Sequence, residues 1–299
     1  MFRQKVLSMD LFFKSSEIEY TEFENLKKFS FFKIGGNARY FALPKNPEQL
    51  SSIIKACKED DMPIYYLGRG SNLLISDEMP DCVVVHFKYF NNLKITGNTV
   101  IAGSGYNFSH LIVKTLDIGL SGLHTLCGIP ASVGGAVFMN AGGKYGDISD
   151  SVEKIVSVDH DVNINEFKKD EINFTYRNSN LADNCIVSAE FCLHQDSPEK
   201  LWKIHDEILN VKKESQPLNI PSAGCIFKNP HTYSAGELIE KTGLKGSKIG
   251  GASVSIKHAN FIVNEGFATS KDVIDLIDVV RNKVLEKFGI FLDLEVRLW

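Results

Sequence analysis

The sequence predicts an α+β protein of two domains, and three observations predict it. Fifteen of its 23 glycines lie between Gly35 and Gly146, none lies between residues 147 and 223, and eight follow. The glycine-rich part reads as a run of short β-like segments such as "PIYYLGRGSNLLIS" and "NTVIAGSGYNF", punctuated by turns. The last third instead mixes helical and strand periodicity. At 299 residues the chain is long enough for about two domains with sizeable cores.

Taken in order, residues 1–19 read as an N-terminal extension and 20–196 as the glycine-rich domain. The second domain then covers 197–299, opening with the helix "SPEKLWKIHDEILNVKKES", whose apolar face is Leu201, Ile204, Ile208 and Val211. In "TSKDVIDLIDVVRNKVLEKFG" the residues Val273, Ile277, Val280, Val284 and Phe288 recur at helical spacing, Thr269 or Ser270 can cap the start, and Gly289 ends it. The chain finishes as a strand, "FLDLEVRLW", with Leu292, Leu294, Val296 and Leu298 on one face and Asp293, Glu295 and Arg297 on the other.

Composition excludes several functions. Hydrophobic residues are 43% and charged residues 23%, the balance of a soluble globular protein. A net charge of −4 offers no basic field, so nucleic acid is not expected as a partner. The apolar runs are far short of a membrane span, and Asp10 interrupts an opening segment too short for a secretory signal, so the expectation is a cytoplasmic protein without a membrane. Six cysteines without C-x-x-C spacing read as free thiols. The eight histidines form no ligand pattern, so no metal is expected. Oligomeric state is left open by the sequence, with a monomer favoured.

Two loops point to a ligand. In "YYLGRGSNLL" a hydrophobic strand runs into Gly68, Arg69, Gly70, Ser71 and Asn72. Successive amides in such a turn can cradle an anion; an ordinary tight turn explains this loop alone equally well. The second stretch, "CGIPASVGGAVFMNAGGKYG", tips the balance. Pro130 stands where a helix could begin, and Ser132, Gly134 and Gly135 would let a phosphate or a ring approach the backbone. So many small residues weaken regular structure, and a flat or phosphorylated cofactor explains them better than a core does. Neither loop is G-x-G-x-x-G and no Walker A sequence occurs, so a Rossmann dinucleotide domain has no support.

Seven motifs then fall into a familiar order: "FFKIGGNARYF", "LGRGSNLL", "GIPASVGGAVFMNAGG", "FTYRNS", "PSAGCIFKNP", "LIEKTGLKGSKIGGASVSIKHANFIVN" and "LDLEVRLW". Over roughly residues 20–299 the chain resembles the UDP-N-acetylenolpyruvoylglucosamine reductase family, in its compact class without the longer class's tyrosine-bearing insertion. The resemblance implies an FAD-binding domain of the vanillyl-alcohol-oxidase (PCMH) type followed by a smaller α/β substrate-binding domain. It implies FAD as cofactor, NADPH as electron donor and UDP-N-acetylglucosamine enolpyruvate as substrate. The product would be UDP-N-acetylmuramate for peptidoglycan, hence a part in cell-wall biogenesis, cell shape and division. Gly68 to Asn72 would hold the pyrophosphate. Gly128, Ile129, Pro130, Ser132, Gly134, Gly135, Asn140, Ala141 and Gly142 would flank the isoalloxazine.

The implied chemistry delivers a hydride to the methylene carbon of an enolpyruvyl ether, leaving an enolate-like centre that needs charge stabilisation and then a proton. Arg177 resembles the family's catalytic arginine, and a permanently charged planar guanidinium suits a carboxylate gaining charge. Glu295 resembles its catalytic glutamate. Cys225 occupies the place of the usual serine proton donor. A thiol with an ordinary pKa of about 8.5 is mostly protonated near neutrality, yet is a far stronger acid than an alcohol. It also oxidises where a hydroxyl does not, so sensitivity to peroxide is expected. Lys213 and Lys228 are the candidate cations for the substrate diphosphate, with Lys212, Asn229, Tyr233 and His258 as further candidates near the nucleotide. Asn37 stands where the family has proline, and Ala131 where it has glycine, which would matter if that backbone had positive φ. The competing readings are another flavin-dependent oxidoreductase of the same fold, which would ignore the enolpyruvyl substrate, and a non-catalytic flavin-binding relative.

Overall fold

A computed structural model of the chain describes residues 8–230 and 232–299; residues 1–7, part of the expected N-terminal extension, lie outside the described residues. Contacts divide the chain into two units. One comprises the described residues up to Glu24, Ala38–Arg69 and Pro80–Leu209; the other comprises Asn25–Asn37, Gly70–Met79 and Asn210–Trp299.

The first unit contains two sheets. In one the strand order is Glu19–Asn25, Asn37–Leu43, Val83–His86, Ile64–Leu67, and the last three run parallel. Parallel strands need a crossover, and Pro47–Glu59 supplies it. Asn46 caps that helix by accepting from the Gln49 N–H, and Pro47 takes the first turn, where its missing N–H costs nothing. Leu50, Ile53, Ile54 and Cys57 face Val83 and Val85, and Met9 and Phe13 of the helix Met9–Ser15 join the same core. Fully burying each such aliphatic side chain contributes roughly 1.5–3 kcal/mol.

The second sheet is antiparallel throughout, in the order Ile164–Lys168, Val152–Asp159, Asn184–Cys192, Thr99–Gly103, Leu93–Thr96. The helices Phe108–Asp117 and Val133–Phe138 contribute Leu111, Ile112, Leu116, Val133, Ala136 and Val137 to its core. Ile64–Leu67 ends at Gly68 and Thr99–Gly103 ends at Ser104 and Gly105. The Gly68 loop and the Ser104–Gly105 turn are therefore hung from strand ends.

His86, at the end of its parallel strand, stacks on Phe41 with ring centroids 5.6 Å apart, and burial pushes its imidazole down to about 4. The unfolded chain, with the ordinary value near 6.5, binds the proton first. Stability is therefore complete above about pH 6.5 and lost progressively towards pH 4, by at most about 1.4 kcal/mol per pH unit. Melting curves at pH 7 and pH 5 are expected to separate accordingly, and His86→Phe to narrow that separation.

The second unit has an antiparallel sheet ordered Lys248–Ile249, Ala252–Val254, Ile262–Asn264, packed with the helices Ala235–Lys241 and Ser270–Phe288. Ser270–Phe288 follows the sequence pattern closely. Thr269 and Asp272 form a reciprocal capping box, Gly289 closes the helix at φ +68, and Val273, Leu276, Ile277, Val280 and Val284 are buried. Phe32, Ile34 and Leu74 lie in this same core, which is why residues 25–37 and 70–79 belong with the C-terminal segment.

The helix Pro198–Ser215 departs from expectation on one face. Leu201 and Ile208 are buried as expected, but Val211 is exposed and His205 is buried in its place. His205 packs edge-on against Trp202, its Nδ1 lies 2.9 Å from Asp206, and its carbonyl accepts from the Cys127 thiol. No helix among the described residues is long and apolar enough to cross a membrane.

Candidate functional site

Within the first unit the two glycine-bearing loops meet. A Cβ at Gly68 would lie 2.3 Å from the Ser132 hydroxyl, so only glycine lets the strand end come this close. Ser132 bridges to Asn107, the Val133 N–H donates to the Tyr106 carbonyl at 2.9 Å and the Gly134 N–H to the Ser104 carbonyl at 2.8 Å. The helix starts at Val133, not at Pro130: Ser132 is its N-cap and accepts from the Gly135 N–H at 3.3 Å. A hydroxyl that replaces a missing backbone partner defines the helix start here, and Pro130 only leads into it. Gly128 has φ +79, whereas Ala131 lies outside the left-handed region, so the alanine brings no backbone strain.

One buried polar atom lacks a partner here. The Ser104 hydroxyl is shielded from water with no hydrogen bond among the described residues, and leaving such a group unsatisfied costs about 1–3 kcal/mol. It sits against Gly134, where a Cβ would approach the Ser104 Cβ to 2.7 Å. A turn of small residues, a capped helix start and an unsatisfied hydroxyl fit a polar, flat ligand. Ser104 was not singled out from the sequence, although the short "GSG" after a strand resembles the Gly68 loop and could have flagged it.

Gly134 and Gly135 are expected to behave differently on substitution. Gly134→Ala must displace Ser104 and is expected to destabilise the apoprotein by about 1–3 kcal/mol. Gly135→Ala meets only the Ser132 hydroxyl at 3.3 Å, so the apoprotein is expected to melt within a few degrees of the parent. Its weakened FAD binding, measured by fluorescence titration, then reports a ligand against this backbone.

Arg177 is turned onto the "NAGG" segment of the same unit. It occupies the tip of the hairpin Phe174–Thr175/Asn178–Ser179 with φ +53. Its Nη1 donates to Asp147 Oδ1 at 2.8 Å and to the Asn140 carbonyl at 3.2 Å, and its Nη2 donates to the Gly142 carbonyl. Asn140, with φ +42, donates to the Thr175 carbonyl and accepts from the Ser149 N–H. A guanidinium only 10% exposed is thus held by one carboxylate and two carbonyls.

In the second unit Cys225 and Glu295 lie on paired backbone. Cys225 bridges to Phe261 and Phe227 to Leu294; the Glu295 N–H donates to the Ile226 carbonyl and the Lys228 N–H to the Asp293 carbonyl, both at 2.8 Å. Asn260 clamps this loop from below, accepting from the Phe227 N–H at 3.0 Å and donating to its carbonyl at 2.8 Å. Asn260 was not singled out, and its spacing from Cys225 carries no local signal. Both Cys225 and Glu295 are half-buried. Asn72 reaches the same stretch: its amide donates to the Glu295 carbonyl at 3.0 Å and its carbonyl accepts from Arg297. Gly70, with φ +64, leaves no room for a Cβ beside the Phe29 carbonyl.

The expected C-terminal strand is less regular than its pattern. Leu292 and Val296 are buried and Leu294 packs against the core, but Leu298 is exposed, because only Arg297–Leu298 pairs as a strand, with Leu73–Leu74. Of the substrate candidates, Lys213 and Asn229 are exposed, Lys228 is half-buried and Tyr233 is 53% exposed. Asn229 also accepts from the Ala235 N–H at the start of the helix Ala235–Lys241. His258 is packed edge-on against Phe261, and burial lowers its imidazole pKa.

Residues 38–166 match the FAD binding domain family, and residues 216–299 match the family of the UDP-N-acetylenolpyruvoylglucosamine reductase C-terminal domain. The UDP-N-acetylenolpyruvoylglucosamine reductase of Clostridium novyi is 42% identical over 275 residues, 91% of this chain and 90% of its own. That of Caldicellulosiruptor bescii is 40% identical over 295 residues, 97% of this chain and 94% of its own. The crystal structure of the Thermus caldophilus reductase aligns with a TM-score of 0.81 at 35% identity, covering 95% of this chain and 99% of that one. These relatives and the FAD binding domain match define an FAD-dependent oxidoreductase. The chain belongs to the UDP-N-acetylenolpyruvoylglucosamine reductase family.

Proposed function

We propose that the chain reduces UDP-N-acetylglucosamine enolpyruvate to UDP-N-acetylmuramate with NADPH, supplying peptidoglycan synthesis in the cytoplasm and through it wall growth, cell shape and division. The observation that supports the reading is the pairing of residues 226–228 with 293–295, which brings the backbone that follows Cys225 against the backbone that carries Glu295. Gly68, Arg69, Gly70, Ser71 and Asn72, with Gly128, Ile129, Pro130, Ser132, Gly134, Gly135, Asn140, Ala141 and Gly142, and with Ser104 added from the structure, are the residues that would hold FAD. Bound FAD supplies the hydride relay from NADPH to the substrate.

The chain's own residues do the rest. Arg177 faces the substrate carboxylate and stabilises the negative charge that grows on it as the double bond is reduced. Cys225 holds a proton at Sγ and releases it to the carbon bearing the ether oxygen; solvent then reprotonates the thiolate. Glu295 orients the enol during that transfer. Lys213, Lys228, Asn229 and Tyr233 bind the uridine diphosphate end, where cations offset the phosphate charge. Incubation with NADPH and the enolpyruvyl substrate is expected to give a product heavier by two hydrogens, read by mass spectrometry. NADPH oxidation with no change in the sugar nucleotide would mean a different substrate.

A further inference from the structure

We propose that Asp147 is a positioning residue that holds the Arg177 guanidinium ready for the substrate carboxylate, an inference that rests on the reading of Arg177 above. The structure builds this contact deliberately. Asp147 pairs with Gly142 across a two-residue antiparallel ladder, and its N–H is fixed by the Asp150 carboxylate at 3.0 Å. Its own Oδ1 lies where a Cβ on Gly142 would stand, only 1.8 Å away. Any residue but glycine at 142 would therefore expel the carboxylate from its place beside Nη1. On the other side Arg177 and Asn140 both adopt left-handed backbone angles, which cost non-glycine residues free energy and persist only where surroundings enforce them. Asn140 ties the turn to the hairpin through the Thr175 carbonyl and to the following turn through the Ser149 N–H.

The physical sense lies in what an arginine must otherwise lose. Its long side chain carries about 2 kcal/mol of rotamer entropy, spent at binding if the group is free beforehand. Here one charged and two neutral acceptors have already fixed it, and the Asp147 charge offsets the cost of keeping a guanidinium 10% exposed. Loss of the carboxylate removes the charged acceptor at Nη1 and leaves neutral carbonyls there, which hold a guanidinium more weakly than a carboxylate does. Misplacing a charge-stabilising group by about 1 Å can cost 100-fold in rate.

The test is a double-mutant cycle on the FAD-loaded enzyme with two readouts, flavin reduction by NADPH and flavin reoxidation by the enolpyruvyl substrate. Asp147→Ala is expected to slow reoxidation by about 10- to 100-fold and to leave reduction by NADPH unchanged. Asp147→Asn, which keeps an acceptor but not the charge, is expected to fall between Asp147→Ala and the parent, and it remains informative where the alanine variant folds poorly. In an Arg177→Ala background neither substitution is expected to slow reoxidation further. Parental reoxidation rates in both Asp147 variants would overturn the proposal. So would an equal loss with and without Arg177, which marks a merely structural role. If Arg177→Ala itself reoxidises at the parental rate, the reading of Arg177 has failed, and the inference falls with it.

Discussion

Cys225→Ala is expected to accept electrons from NADPH at the parental rate and to stall in the second half-reaction. Loss of a positioned proton donor costs typically 10²- to 10⁴-fold, so reoxidation by the enolpyruvyl substrate is expected to slow by about that range. Cys225→Ser retains an O–H at the same place and is expected to keep most of the activity. The backbone around the thiol predicts that neither variant unfolds: Ile226 and Phe227 are anchored by Asn260, and residues 226–228 pair with 293–295 through main-chain bonds. Rapid-mixing absorbance of the flavin separates the two half-reactions. Parental reoxidation in the alanine variant would mean that another group delivers the proton.

Arg177→Lys carries the second large effect, and it is not a conservative change. Both Nη atoms of Arg177 are used, one on Asp147 and the Asn140 carbonyl, the other on the Gly142 carbonyl, and a single ammonium cannot reproduce that fork. Removing one group aimed at developing negative charge costs about 10²- to 10³-fold. A loss of that size in kcat is expected for Arg177→Lys with the enolpyruvyl substrate, with FAD content and reduction by NADPH retained. A rise in KM at constant kcat would instead assign Arg177 to ground-state binding.

What the sequence showed depended on the range of each signal. Ser270–Phe288 was legible because its periodicity, its capping residue Thr269 and its terminal Gly289 are all local, and the structure adds Asp272 as the other half of the capping box. Pro198–Ser215 was legible as a helix, but its buried face was misread: an apolar template favours Val211, whereas His205 is inside because Trp202, Asp206 and the Cys127 thiol satisfy it. The strand pattern at the C terminus found the side of Leu292 and Val296 but not the exposure of Leu298, since register is set by residues 73–74, far away in sequence. Gly68 and Gly134 were singled out for a ligand's approach. The structure shows that the space beside each is first taken by a serine, Ser132 and Ser104 respectively. Nothing in a single sequence marks residues 25–37 and 70–79 as packing with the C-terminal third. Likewise nothing local pairs Asp147 with Arg177 or Asn260 with Phe227.

The most direct measurement is an anaerobic absorbance titration of the purified protein, adding NADPH and then UDP-N-acetylglucosamine enolpyruvate. A yellow protein that bleaches with NADPH and regains its colour stoichiometrically with the enolpyruvyl substrate is the expected result. A protein that bleaches and stays bleached would contradict the assigned substrate, and one that neither carries nor takes up FAD would contradict the enzymatic account as a whole.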